Sequence, residues 1–338
     1  MKTYLITGGA GFIGSNFINY ILERYKNSIT IVNLDKLTYA ADLTNITEAA
    51  DNANYYFIQG DICNRELVDN IFKTYDIDYV VNFAAESHVD RSIINPDIFL
   101  KSNVFGTQVL IDCAREHWEV EEDRYVYGKK FLQISTDEVY GTLDDRGYFT
   151  EETPLRPRSP YSASKASADM LVQSYKYTYN MPINITRCSN NYGPNQFPEK
   201  LIPLAIKKAI NGEEIPIYGD GKHIRDWLYV RDHCVAIDMV LRKGKVGEIY
   251  NIGGNNEQEN INCIKNIIGI LKKIFPENTY INENLITYVK DRRGHDRRYG
   301  IDFSKIKNEL GWYPKVRFDE GIMATIYNVY NKNKINRV

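Results

Sequence analysis

Two short blocks of the chain carry groups able to move protons. Ser135-Thr136-Asp137-Glu138-Val139-Tyr140-Gly141 sets two adjacent carboxyls directly after the apolar run Phe131–Ser135. Two neighbouring acids are most often a solvated turn. They become an acid/base pair when their surroundings push their pKa values apart. Side chains within a strand alternate between faces, but past the strand end that alternation lapses, so Asp137 and Glu138 can both reach one cleft. The second block is Tyr161 and Lys165, behind Pro160. Four Tyr-xxx-Lys pairs occur (Tyr125/Lys129, Tyr161/Lys165, Tyr218/Lys222 and Tyr330/Lys334), against about two expected from composition alone. Only Tyr161 opens a long helical stretch. Positions i and i+4 share a helix face, so the Lys165 ammonium is expected beneath the phenol, lowering its pKa from about 10.

The elements that must hold these groups alternate. Tyr4–Thr7, Ile29–Leu34, Tyr55–Gln59, Tyr79–Phe83, Phe131–Ser135 and Ile183–Thr186 read as buried strands. Phe12–Tyr25, Arg65–Tyr75, Phe99–Glu116 and Ser162–Tyr179 read as helices between them. Such alternation implies βαβ units and a parallel sheet covered on both faces. After about Arg187 prolines and glycines loosen the pattern, with helices expected near 262–275 and 319–331. The expected fold is α/β: a Rossmann-type, doubly wound parallel sheet over residues 1–187, with a returning segment near 226–253. A smaller mixed α/β domain, mainly 188–338, completes it. A cleft over the carboxyl edge of the sheet is where such folds bind ligands.

Thr7-Gly8-Gly9-Ala10-Gly11-Phe12-Ile13-Gly14 lies between the first strand and the first helix. Gly8, Gly11 and Gly14 suit a tight turn that lets backbone approach a pyrophosphate, with the free N–H groups of the helix start facing its charge. Asp35 ends the next strand, 21 residues after Gly14, where a carboxylate accepts hydrogen bonds from a ribose diol and repels a 2′-phosphate. Strand, turn, helix and acid together indicate NAD rather than NADP. Its nicotinamide charge would act with Lys165 on Tyr161.

Composition excludes other classes. The chain has 338 residues, enough for about two domains. Forty-two basic against 44 acidic residues give a net charge of -2, no field for holding a nucleic-acid backbone. Five scattered cysteines and five scattered histidines suggest neither a disulfide framework nor a metal, and a reducing, cytoplasmic setting is expected. Thr3–Leu22 carries no charge, but its four central glycines favour strand, turn and helix over a membrane span or signal.

Taken together, the blocks resemble the extended short-chain dehydrogenase/reductase family, and within it the bacterial dTDP-glucose 4,6-dehydratases. The resemblance runs from Leu5-Ile-Thr-Gly-Gly-Ala-Gly-Phe-Ile-Gly-Ser to Leu310-Gly-Trp. It takes in Leu34-Asp-Lys-Leu-Thr-Tyr-Ala, Ala84-Ala-Glu-Ser-His-Val-Asp-Arg-Ser, Ser135-Thr-Asp-Glu-Val-Tyr-Gly and Tyr161-Ser-Ala-Ser-Lys. It continues through Arg187-Cys-Ser-Asn-Asn-Tyr-Gly-Pro, Ile224-Arg-Asp-Trp-Leu-Tyr-Val and Gly294-His-Asp-Arg-Arg-Tyr. The glycine turn and Tyr-xxx-Lys mark only the superfamily. Thr-Asp-Glu marks the dehydratase, since related epimerases carry Ser/Thr-rich segments there and GDP-mannose dehydratases and UDP-glucuronate decarboxylases carry Thr-Ser-Glu. In the mechanism the resemblance implies, Tyr161 takes the O4 proton of the glucose as C4 hydride passes to NAD+. Glu138 removes the C5 proton, Asp137 protonates the departing O6 hydroxyl, and hydride returns to C6. Glu138 then reprotonates C5, Thr136 bonds near the reacting oxygen, and NAD+ stays bound.

The resemblance assigns NAD contacts to Phe12, Ile13, Asp35, Lys36, Leu37 and Thr38, then to Asp61, Ile62, Ala84, Ala85, Glu86, Ser87 and Ser102. Tyr161, Lys165 and Asn191 complete them. Substrate contacts fall on Ser87, Thr136, Asn190, Lys200, Leu201, Tyr218, Arg225 and Asn260, and on the segment Asp291, Arg292, Arg293, Gly294 and His295. Arg225 and Arg292 are the expected diphosphate clamps, because a planar guanidinium binds two oxygens together. Two positions depart from the family pattern: Arg293 replaces a proline, and Arg231 replaces an acid and adds positive charge beside a helix start. A homodimer is implied, through helices 99–117 and 161–179. The alternatives are a UDP-sugar 4-epimerase or decarboxylase, a 4,6-dehydratase of another nucleotide-glucose, and a non-catalytic NAD sensor.

Overall fold

The computed structural model describes residues 1–335; positions 336–338 of the expected C-terminal domain lie outside the described residues. Seven parallel strands form one sheet: β1 (Lys2–Thr7), β2 (Ile29–Asp35), β3 (Tyr55–Gln59), β4 (Tyr79–Asn82), β5 (Lys130–Thr136), β6 (Ile183–Cys188) and β7 (Ile249–Ile252). Their order is β7-β6-β5-β4-β1-β2-β3. The order reverses between β1 and β4, and a crevice opens at the carboxyl ends there, as in other doubly wound sheets.

Alternation along each strand splits the core in two. Tyr4 and Ile6 pack on one face with Phe17, Ile18 and Ile21 of helix α1 (Phe12–Tyr25). Leu5 packs on the other with Val68 and Ile71 of α2 (Arg65–Thr74) and Leu110 of α3 (Gly106–Trp118). On that second face α4 (Pro160–Tyr179) adds Val172 and Tyr175. All seven residues of β2 and all seven of β5 are buried, as strands covered on both faces must be. Polar side chains tie the sheet's carboxyl edge. Thr7 Oγ1 donates to Asn82 Oδ1 (2.6 Å), and Asn82 Nδ2 donates to Gln133 Oε1 (2.8 Å).

A third cluster gathers the later chain. Helices α5 (Leu201–Asn211), α7 (Asn260–Ile274) and α8 (Phe318–Ile335) pack around Ile202, Ile206, Ile264, Ile267 and Ile322. Helix α6 (Val230–Lys243) lies instead against α1, with Ile237 and Val240 in the first cluster. Small strands cross above the sheet: Asn190–Tyr192, Ile224–Tyr229 and Glu257–Glu259 form one ladder, Ile215–Tyr218 and Ile286–Val289 another.

The six expected strands are present, Tyr55–Gln59 with the expected ends and the other five with shifted ends, and β7 is the seventh. One expected helix differs. Phe99–Glu116 is not a single α-helix, because Leu100–Phe105 winds as a π-helix before α3 begins at Gly106. The wider winding accompanies an anchor. Asn103 accepts from Glu86 N (2.8 Å) and donates to Glu86 O (3.0 Å) and Ser164 Oγ (2.8 Å). π-Helical turns of this kind recur at functional sites. Among the described residues no helix is long and apolar enough to cross a membrane.

Candidate active site

The glycine turn closes as its residues require. Gly8 has φ +69°, and a Cβ there would lie 2.8 Å from Ala84 N; at Gly14 a Cβ would lie 2.3 Å from Gly8 O. Gly11 is the N-cap of helix α1 and supplies no side-chain cap, so the first N–H groups of the helix face the crevice ready for an anion. Asp35 has a task the sequence did not suggest. Its Oδ2 accepts from Ala10 N (2.9 Å) and its Oδ1 from Leu37 N (2.8 Å). The carboxylate therefore fixes the turn, and ribose must share its remaining lone pairs. Glu86 Oε2 is buried without a partner, and burial raises its carboxyl above the usual range. A turn without room for Cβ atoms, an uncapped helix start and an unsatisfied acceptor fit a dinucleotide.

At the end of β5 the chain turns into a short 3₁₀-helix, Asp137–Tyr140, capped by Thr136, whose Oγ1 accepts from Glu138 N (3.3 Å). The same hydroxyl donates to Asp137 Oδ1 (3.2 Å), while Asp137 Oδ2 is buried and unpaired. Burial, then the neighbouring Glu138 and Asp226, push the Asp137 carboxyl well above its usual value. Glu138 is also raised by burial, but Lys200, Arg225 and Arg292 pull it back. The surroundings thus separate the pair, favouring the proton on Asp137 more strongly than on Glu138.

Tyr161 and Lys165 sit one turn apart at the start of α4, whose N-cap Ser159 forms a capping box with Ser162. The expected lowering of the phenol by Lys165 is not what the protein groups supply. Lys165 Nζ donates to Ile134 O (2.7 Å), and burial lowers its own pKa. Tyr161 is raised well above 10 by burial and then by Glu138, Cys188 and Asp137, with only the Thr136 hydroxyl opposing. The phenol therefore keeps its proton until further positive charge arrives.

One cleft gathers most of the expected residues. Its wall includes Gly8, Gly11, Phe12, Ile13, Gly14, Asp35, Lys36, Thr38, Asp61, Ile62, Ala84, Ala85, Glu86, Ser87 and Ser102. It continues through Thr136, Asp137, Glu138, Tyr161, Lys165, Asn190, Asn191 and Lys200. Leu37 is absent from that wall: its backbone takes φ +57° and its N–H serves Asp35. Leu201, Tyr218, Arg225, Asn260, Asp291, Arg292, Arg293, Gly294 and His295 also lie outside it. Arg225 and Arg292 are nevertheless close enough to act on Glu138.

Neither expected clamp is free. Arg292 pairs with Asp90 through Nη2–Oδ2 (3.0 Å). Arg225 donates to the carbonyls of Ile224 (2.8 Å) and Asp296 (2.9 Å) and packs over the Tyr299 ring at 4.3 Å. Of the two departures from the family pattern, Arg293 is exposed, whereas Arg231 pairs with Glu23 (2.6 Å) over the Tyr20 ring, so its added charge is neutralised.

Several wall residues had no signal in the sequence. Cys188, Gln196, Phe197 and Glu199 face the cleft. Glu199 accepts from Tyr39 OH (3.1 Å). His233 lies behind Asn191, 2.8 Å from Nδ1 to Oδ1. Asn191 spends its amide nitrogen on Ser189 O (3.0 Å) and Cys188 Sγ (3.3 Å), so the imidazole must donate. Burial lowers His233 to about 3, which keeps it neutral. Beneath the acid pair, Tyr140 OH donates to Asn251 Oδ1 (2.7 Å) and accepts from Arg187 (3.1 Å), and Arg187 pairs with Asp169 of α4 (2.8 Å). Only contacts between distant segments reveal these roles.

Comparison with known proteins follows the same lines. Residues 5–325 match the family model described as GDP-mannose 4,6 dehydratase. The chain is 52% identical to a dTDP-glucose 4,6-dehydratase of Xanthomonas campestris pv. campestris over 96% of this chain and 92% of that one. It is 48% identical to the Escherichia coli enzyme of the same name, over 99% and 94%. Among solved structures, the dTDP-glucose 4,6-dehydratase of Bacillus anthracis in complex with NAD superposes with a TM-score of 0.87 at 47% identity, covering 99% of this chain and 98% of that one. The UDP-glucose 4-epimerase of Thermotoga maritima shares the fold (TM-score 0.85, 98% and 99% covered) at only 28% identity. The chain belongs to this nucleotide-sugar dehydratase family and, within it, to the dTDP-glucose 4,6-dehydratases.

Proposed function

We propose that the protein converts dTDP-glucose to dTDP-4-keto-6-deoxyglucose, eliminating one water across C5 and C6. The observation that carries this reading is the buried Asp137, held protonated with Oδ2 unpaired, beside a less perturbed Glu138. An epimerase needs no such acid, since hydride steps alone invert C4. NAD+, when bound, takes the C4 hydride, returns it to C6 and adds positive charge that favours the Tyr161 phenolate. Tyr161 accepts the O4 proton, and Lys165 supports it from the same helix face. The 4-ketone acidifies C5–H, which Glu138 removes as the base whose burial Lys200, Arg225 and Arg292 partly offset. Asp137 gives its proton to the departing O6 hydroxyl, and Thr136 holds both acids through its hydroxyl. Glu138 then returns a proton to C5.

The cofactor wall, Gly8 to Ser102 with Asn191, would hold NAD, and the Arg225 and Asp291–His295 side would hold the nucleotide. Residues 1–187 with 226–253 serve as the NAD-binding unit and the rest as the substrate unit. A homodimer through 99–117 and 161–179 would cover Leu100, Phe105, Met170 and Tyr177, which are 52%, 50%, 63% and 86% exposed, and large apolar side chains gathered this way favour a partner. The lack of disulfides among the described cysteines suits a cytoplasmic site.

Mass spectrometry of the purified protein with dTDP-glucose, UDP-glucose and GDP-mannose, without added cofactor, tests the reading. Loss of one water from dTDP-glucose alone is expected. Loss from UDP-glucose alone would move the doubt to the nucleotide side, and no change after NAD+ is added would overturn the activity.

A further inference from the structure

The segment Asp291–His295 has neither helix nor strand, and Gly294 takes φ +64°. Where the family pattern has a stiffening proline, Arg293 stands exposed. Another residue holds this segment. His223 stacks on His295 with centroids 3.7 Å apart and planes 19° from parallel. Its Nε2 is 3.4 Å from Asp291 Oδ2, and Asp291 Oδ1 is 2.7 Å from His295 Nδ1. The His223 carbonyl also accepts from Asn260 N (2.9 Å). His223 is 4% exposed, yet its Nδ1 has no hydrogen-bond partner, and neither has the buried Asn260 Oδ1.

The charges nearby decide what the cluster takes. His223, Asp291 and His295 offer ligand atoms within 4.8 Å of one another, a spacing a metal ion could use. Arg225, however, acts on both rings, Arg297 on His223 and Arg292 on His295, and burial together with these cations lowers both imidazoles. A cation entering that field meets repulsion, whereas a phosphate gains from it.

We propose that His223 is a positioning residue for the nucleotide diphosphate: it fixes Asp291 and His295 against Arg225 and so sets the strength of nucleotide binding. This rests on the dTDP-sugar reading above. The ring supplies by stacking the stiffness that Arg293 cannot.

Calorimetric titration of the purified protein with dTDP tests it, with melting temperature and steady-state kinetics measured on the same samples. His223→Ala is expected to weaken dTDP binding and raise KM about tenfold, through loss of the stack on His295 and of the approach to Asp291, with kcat within about twofold. His223→Phe keeps the stack and loses the Asp291 contact, so it should fall between. If His223→Ala unfolds, the Phe variant decides the matter. Wild-type affinity for dTDP in both variants, or a fall in kcat with KM unchanged, would overturn the role of His223. Failure of the wild-type protein to bind dTDP would instead sink the substrate reading.

Discussion

On the sheet side of the cleft, the groups proposed to react hang from a strand end and a helix start that the core already fixes. Thr136 closes β5, Asp137 and Glu138 follow in one 3₁₀ turn, and Tyr161 opens α4. The buried chain Asp169–Arg187–Tyr140–Asn251 ties turn and helix together. The opposite side is assembled from loops and short strands of the later chain. Its cations are held by protein contacts, such as Asp90 on Arg292. The difference follows from the chemistry: proton transfer tolerates little misplacement of the reacting groups, while a nucleotide can reorganise flexible charged side chains as it binds.

If the sheet side carries the chemistry, damage there should cost turnover and damage opposite should cost affinity. Tyr161→Phe is expected to lower turnover by about 10⁴, with no absorbance change of bound NAD+ on adding substrate; measurable reduction would assign the first proton transfer elsewhere. Arg187→Leu leaves Asp169 buried and unpaired, so stability should fall by about 3–5 kcal/mol, read from denaturant unfolding. A shift below about 1 kcal/mol would mean that water reaches Asp169.

Asp137→Asn should slow water loss about 10²–10³-fold while C4 oxidation continues, and its pH profile sharpens the point. Glu138 works ionised and its pKa is raised, so activity falls as pH drops through that raised value. Asp137 works protonated and is raised further, so activity also falls as pH climbs through its value. The variant should keep the acid limb and lose the alkaline limb that belongs to Asp137. Retention of both limbs would remove Asp137 from the acid role. Smallest of the four, Arg292→Lys should raise KM for dTDP-glucose about tenfold through loss of two-point recognition, with kcat little changed. A matching fall in kcat would erase the contrast between the two sides.

Much of the sheet side was legible because its signals are local. Glycines 8, 11 and 14 can be read from the turn they must make, and burial on both faces leaves β2 and β5 rich in apolar residues. Boundaries were less so: Leu100–Phe105 has an ordinary helical pattern, and its π-helical winding accompanies the long-range bonds of Asn103 to Glu86. Asp35 was read as a ribose acceptor, yet it also fastens Ala10 and Leu37. For Tyr161 the i, i+4 spacing sets the proximity of Lys165, whereas the burial and neighbouring carboxylates that raise the phenol come from distant segments.

The sequence by itself determined the parallel α/β framework and the dinucleotide turn, because each depends on periodicity or spacing within one segment, while the five residues proposed to handle protons were singled out by the family resemblance. Only the tertiary structure decided which acid keeps its proton, where Lys165 points and that His223 meets His295 across 72 positions of chain. Those outcomes depend on desolvation and on charges brought from distant segments, and no short window of sequence contains either.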